Sequence, residues 1–195
     1  MENLLESRAR LLALLNHIYL LGMVTVIAGV LTAAMTLQYA YGEIPCPLCL
    51  LQRAAMFGVC FGILQNLRGT YADRNTGFSL LFALLLLVVS ERQTLLDIYP
   101  RPGHEYVGTA VLGLHMPVWS VVIALCLLIA FALRLAVLGG NAHMRGNEAS
   151  TFPLVYKAAG IASLYVIAIC AINLVSAVLQ CGLGQCHTTG YALLQ

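Results

Sequence analysis

Charge is what this sequence has least of. Acidic and basic residues make up 9% of its 195 positions, where a soluble domain carries about a quarter. That scarcity excludes a soluble globular enzyme, and the hydrophobic excess excludes a disordered chain. No basic block exists: the ten lysines and arginines are spread along the chain and the net charge is +2. A nucleic-acid surface is excluded on that ground. No G-x-G-x-x-G follows a strand pattern, so nothing points to a flavin or nicotinamide fold. The short alternating segments of a membrane β-barrel are missing too. What is present is 61% hydrophobic residues. The composition predicts an all-α integral membrane protein, residues 1–195 forming a single membrane domain.

A helix crossing the bilayer needs about 20 mostly apolar residues. Five stretches qualify, roughly 11–40, 49–67, 78–98, 117–138 and 156–179. The first is much longer than the apolar core of a cleaved leader and follows Glu2, Glu6, Arg8 and Arg10, so it reads as an uncleaved anchor. Lysine and arginine in short connections mark the cytoplasmic side. Arg8, Arg10, Arg68, Arg74, Arg134, Arg145 and Lys157 collect on one side, and Arg101 is left on the other. The N-terminus is then cytoplasmic and the C-terminus outside. Segments 41–48, 99–116 and 180–195 share the outer face, which in a Gram-negative cell is the periplasm.

Of seven cysteines, Cys60, Cys126 and Cys170 fall within apolar helix and read as small buried hydrophobes. The other four form two pairs, Cys46/Cys49 and Cys181/Cys186, and the deduced topology puts both on the outer face. Pro47 suits a first helical position, which makes Cys46 the N-cap and leaves Cys49 in the first turn, where the helix dipole favours a thiolate. A redox-active dithiol and a static staple are both compatible with this spacing; a zinc site would need the second pair for its other ligands, and the spacing of that pair fits poorly. Arg53 follows Cys49 by four residues, on the same helix face. It either snorkels to the interface or holds a thiolate and donates to a bound acceptor. In the second pair, Gly182 and Gly184 allow a turn at the end of the fifth helix, so a labile disulfide or a stable surface staple is possible there. Cys186-His187 also makes a stretched form of the haem-attachment motif.

The run Cys46-Pro47-Leu48-Cys49-Leu50-Leu51-Gln52-Arg53 resembles the motif of the disulfide bond formation protein B (DsbB) family. Arg92-Gln93, with Pro100 beyond, is similar to that family's third-helix end. The run 113–119, Gly-Leu-His-Met-Pro-Val-Trp, is similar to its approach to the fourth helix. The resemblance implies a quinone-dependent thiol oxidase of the bacterial inner membrane that reoxidises a periplasmic thioredoxin-fold partner of the DsbA kind. It implies Cys49 beside a quinone (ubiquinone or menaquinone), Arg53 helping to bind it, and Cys46 exchanging with the second pair. Arg92 is either a second quinone-side charge or the partner of Glu91 and Asp97.

Family members of four helices carry their second pair between the third and fourth. Here that connection has no cysteine, and a fifth helix added to the DsbB-like core brings Cys181 and Cys186 to the same face instead. The expected function is a relay from the partner through Cys181/Cys186 and Cys46/Cys49 to quinone. A dedicated dithiol substrate could replace a DsbA-like partner. The segment 103–119 is expected to roof the quinone site or to be an ordinary connection, with His104 and His115 either assisting proton transfer or packing. Two other functions fit the same residues: an accessory subunit of a larger membrane complex with structural disulfides, and a reductase running in the opposite direction.

Overall fold

The computed structural model describes residues 2–99, 112–138, 147–182, 184, 186 and 191–193, with only the backbone for 2–4. Five helices account for most of them: α1 Glu2–Ala40, α2 Pro47–Arg68, α3 Asp73–Ile98, α4 Met116–Val137 and α5 Pro153–Cys181. A short 3-10 turn, Ala149–Thr151, leads into α5. All five are long and apolar enough to cross a membrane. The chain is an all-α multi-span membrane protein.

All five helices start earlier than hydropathy predicts, α1 and α3 by the widest margins. α1 begins at Glu2 because helix continues through a charged, water-facing first section that the apolar window cannot register. α3 begins at Asp73, and Ala72 before it has no side chain able to cap. Asn66 of α2 does that work: its Oδ1 accepts from the Ala72 amide (3.0 Å) and from Asn75 Nδ2 (3.0 Å). The end of one helix thus caps the start of the next.

α2 is central and packs on α1, α3 and α5, while α3 also packs on α4. Its seam with α3 rests on a G-x-x-x-G spacing, Gly58 and Gly62, which lets the backbones approach closely. A Cβ at Gly62 would stand 2.5 Å from the Asn75 carbonyl oxygen and overlap the Ser79 side chain; at Gly58 it would overlap the Phe82 ring. Ser79 Oγ uses the closeness to donate to the Val59 carbonyl (3.0 Å). Gly62→Leu is therefore expected to lower stability by about 2 kcal/mol or more, read as a fall in thermal midpoint in detergent. An unchanged midpoint would contradict this seam.

One end of the bundle is tied across α1 and α4. Tyr19 donates to the Ala130 carbonyl (3.0 Å) and Arg134 Nε to Asn16 Oδ1 (2.7 Å). Arg134 is buried, not displayed at a surface, and also donates to Thr76 (3.3 Å) and Tyr71. Burial without these acceptors would be prohibitive. Arg68 and Arg10 lie at the same end, stacked on Tyr156 and Phe152. At the opposite end α1 and α4 part.

Cys60 is fully buried, as its apolar setting predicts. Cys126 and Cys170 are exposed instead, on outer helix faces. A bundle of this size has too little interior for every apolar position, and lipid accepts the remainder.

Candidate dithiol site

The site is assembled where α2 begins. Cys46 is the N-cap residue, with Pro47 in the first helical position, and its Sγ accepts from the Cys49 amide (3.1 Å). Cys46 is buried and Cys49 half-buried, and neither is in a disulfide. The Cys46 thiol is pushed up, first by its hydrogen bond with Cys49 and then by burial.

Both sulfurs meet Gln93 of α3, whose Nε2 lies 3.2 Å from Cys46 Sγ and 3.4 Å from Cys49 Sγ. The Oε1 of that amide accepts from Gln52 Nε2 (2.9 Å), and Gln52 Oε1 accepts from Ser120 Oγ of α4 (3.1 Å). Three helices therefore share one hydrogen-bonded chain that ends on the cysteines. Arg92 takes no part. It is exposed on the outer face of α3, with Glu91 beside it, because successive helical residues point about 100° apart.

Arg53 does not snorkel. Its guanidinium is buried, and its donors reach Gln38 Oε1 (2.5 Å), Asn173 Oδ1 (3.3 Å), Met35 Sδ (3.4 Å) and the Ala34 carbonyl (3.1 Å). Gln38 in turn donates to Ser176 Oγ (2.5 Å) and the Tyr191 hydroxyl (3.1 Å). α5 thus presents a buried polar stripe, Asn173, Ser176 and Gln180, to this end of α1 and α2. These residues were not among the sequence-derived candidates, although polar residues spaced three and four apart on an otherwise apolar membrane helix are a usable signal.

The second pair is closed as the disulfide Cys181–Cys186, with Cα atoms 3.9 Å apart. Gly182 turns the chain there at φ +59, a region L side chains rarely adopt. Gln180, next to Cys181, donates to the Pro45 carbonyl (2.6 Å), next to Cys46. The structure therefore brings both cysteine pairs to one end of the bundle and pins their flanking residues together.

Between the parted ends of α1 and α4 lies a cavity of about 840 Å³, within the range of sites for small organic molecules. Its wall is mainly apolar, with Leu31, Met56, Met116, Trp119 and Ile123 among the lining residues. Cys49, Gln52, Arg53 and Ser120 supply polar groups on that wall. Of the expected roof, Leu112, Met116 and Trp119 line the cavity; His104 and the rest of 100–111 lie outside the described residues. Among the described residues, no cluster of three or more potential metal ligands occurs.

Fold and site together define a multi-span helical membrane protein built around a C-x-x-C pair, an apolar cavity and a second, disulfide-bonded pair. Residues 16–105, a little under half of the chain, match the model of the family described as disulfide bond formation protein DsbB. Curated relatives bear the name disulfide bond formation protein B. That of an Azoarcus species is 34% identical over 91 residues, 40% of this chain and 54% of its own length. That of Aromatoleum aromaticum is 33% identical over 84 residues, 41% of this chain and 51% of its own. That of Chromohalobacter salexigens is 35% identical over 104 residues, 45% of this chain and 55% of its own. The chain thus spans about half the length of the curated relatives it matches. No solved structure matches significantly. α5 and the Cys181–Cys186 loop lie beyond the family match.

Proposed function

We propose that the chain is a quinone-linked protein thiol oxidase of the bacterial inner membrane, with both cysteine pairs on the periplasmic side. One observation carries the reading: Cys49 and Arg53 share the wall of an apolar cavity, while Gln180, next to the Cys181–Cys186 disulfide, donates to the carbonyl of Pro45, next to Cys46. The partner is a periplasmic thioredoxin-fold protein of the DsbA kind or a dedicated dithiol substrate.

A partner thiolate attacks the Cys181–Cys186 disulfide and forms a mixed disulfide. The partner's second thiol then resolves it, leaving the partner oxidised and Cys181 and Cys186 as thiols. One of these, ionised, attacks Cys46 of the oxidised Cys46–Cys49 pair. The bond to Cys49 breaks and its electron pair stays on Cys49 Sγ; the remaining C-terminal thiol closes Cys181–Cys186 again and releases Cys46. Each attack requires an ionised, reachable sulfur. A quinone bound in the cavity supplies the two-electron, two-proton sink that returns the Cys46/Cys49 dithiol to the disulfide. Arg53, fixed by Gln38 and Asn173, keeps a positive charge on the wall where negative charge collects, and the apolar lining excludes water that would weaken it.

The test is stoichiometric. Reduced protein in lipid nanodiscs, given a short-chain ubiquinone or menaquinone, should lose two thiols for each quinone reduced. Quenching of Trp119, the only tryptophan in the chain, should report cavity occupancy. Thiols left intact by either quinone would remove this function and favour an accessory, structural role.

A further inference from the structure

We infer that Gln93 is a catalytic residue of the dithiol site, the donor that holds negative charge on whichever of the Cys46 and Cys49 sulfurs carries it. The inference rests on the thiol-exchange reading above and extends it to a side chain on another helix.

The argument is geometric. A single nitrogen, Gln93 Nε2, reaches both sulfurs, at 3.2 and 3.4 Å, inside the range for hydrogen bonds to sulfur. The side chain is 4% exposed, so little water competes for those acceptors. Its orientation is held from behind: Gln52 Nε2 donates to Gln93 Oε1 at 2.9 Å, and Ser120 Oγ donates to Gln52 Oε1 at 3.1 Å. In this arrangement Gln93 presents its Nε2 donor to both sulfurs and its Oε1 to Gln52.

Such a donor acts in the exchange step. When a thiolate of the C-terminal pair forms its bond to Cys46 Sγ, the Cys46–Cys49 bond breaks and the electron pair moves to Cys49 Sγ. A leaving thiolate departs faster when its charge is stabilised. Gln93 is already in place for that charge, and the same N–H group serves Cys46 when the charge lies there. Among the described residues, Glu43 before α2 and Arg53 on α2 line the cavity with Cys49, Tyr39 and Tyr191 lie near Arg53, His115 precedes α4, and Glu91 and Arg92 lie on the outer face of α3. Arg53 spends its donors on Gln38, Asn173, Met35 and Ala34, and Gln93 is the side-chain amide placed on both sulfurs.

The test reads sulfur chemistry in the full chain without quinone. Iodoacetamide alkylation of Cys49 in the reduced protein is followed by peptide mass spectrometry at pH 7 and pH 10. Gln93→Met should slow alkylation at pH 7 about tenfold, the effect of losing one hydrogen bond to a charged acceptor. Gln93→Glu, which keeps the shape and the acceptor for Gln52, should slow it further by adding like charge. Rates should converge with the parent protein at pH 10, where the thiol ionises without help. If Gln93→Met does not fold, Gln93→Glu carries the test alone. A parental rate at pH 7 in a folded variant would overturn the inference, and so would a deficit persisting at pH 10, which would mark altered access. Failure here leaves quinone-linked thiol loss in the parent protein intact, whereas failure of that assay overturns the function itself.

Discussion

A Cys49→Ser variant is expected to stop quinone-linked turnover and to leave the C-terminal pair reduced after a single reaction with a dithiol partner. The reason lies in which sulfur faces what. Cys49 lines the cavity and Cys46 is not among its lining residues. Cys46 instead adjoins Pro45, the residue to which α5 is pinned through Gln180. Without Cys49 no Cys46–Cys49 disulfide can form to take electrons from the C-terminal pair, so mass spectrometry should find Cys181 and Cys186 as thiols once a partner has reduced them. Turnover should fall by on the order of 1,000-fold or more, as for loss of a nucleophile that acts as part of a unit. Cys46→Ser should lose turnover to the same degree and for the same reason, and the C-terminal pair should again remain reduced once a partner has reduced it. Near-parental turnover in Cys46→Ser would overturn the proposed electron route.

Arg53→Met carries the second large effect, which falls on stability and on cavity function together. Removing the guanidinium leaves Gln38 Oε1 and Asn173 Oδ1 without this donor in a buried setting. A buried acceptor left unsatisfied costs about 1–3 kcal/mol, so a total of about 3 kcal/mol is expected after relaxation, measured as a lowered thermal midpoint. Quinone affinity, read by Trp119 quenching, should fall at least tenfold with the loss of the wall's positive charge. Arg53→Lys should recover part of the affinity and less of the stability, because an ammonium cannot span the same acceptors. Asn173→Leu makes the complementary measurement. It keeps the charge and removes one acceptor on α5, so affinity should fall by less than in Arg53→Met. Unchanged quinone affinity in Arg53→Met would sink the role assigned to this arginine.

Much of the site could be read before any fold was known, for identifiable reasons. Pro47 marks a helix start by its missing N–H, which places Cys46 at the N-cap and Cys49 in the first turn. Counting apolar runs brings Cys46/Cys49 and Cys181/Cys186 to one end of the bundle. Other features escaped the same reasoning. Arg92 and Gln93 are adjacent, and hydropathy has no means of telling which of them α3 turns inward. The charge in Arg92 drew attention to it, while the neutral amide beside it meets both sulfurs. Arg53 near a helix end looked free to reach the interface until Gln38, Ala34 and Asn173 came from two other helices to bind it.

What the sequence determined alone is whatever depends on local chemistry and length: five apolar runs long enough to span a bilayer, a cysteine capping a helix behind a proline, and glycine where the chain must turn at φ > 0 after Cys181. What only the tertiary structure decided is whatever depends on how helices rotate and approach. That includes the cavity left where α1 and α4 part, the α5 stripe that fixes Gln38 and Arg53, and the choice of Gln93 over Arg92. The division has one physical cause. Local conformation follows from neighbours along the chain, but a helix's rotation about its axis is set by which faces pack without voids or unsatisfied polar groups, and every partner helix shares in that condition.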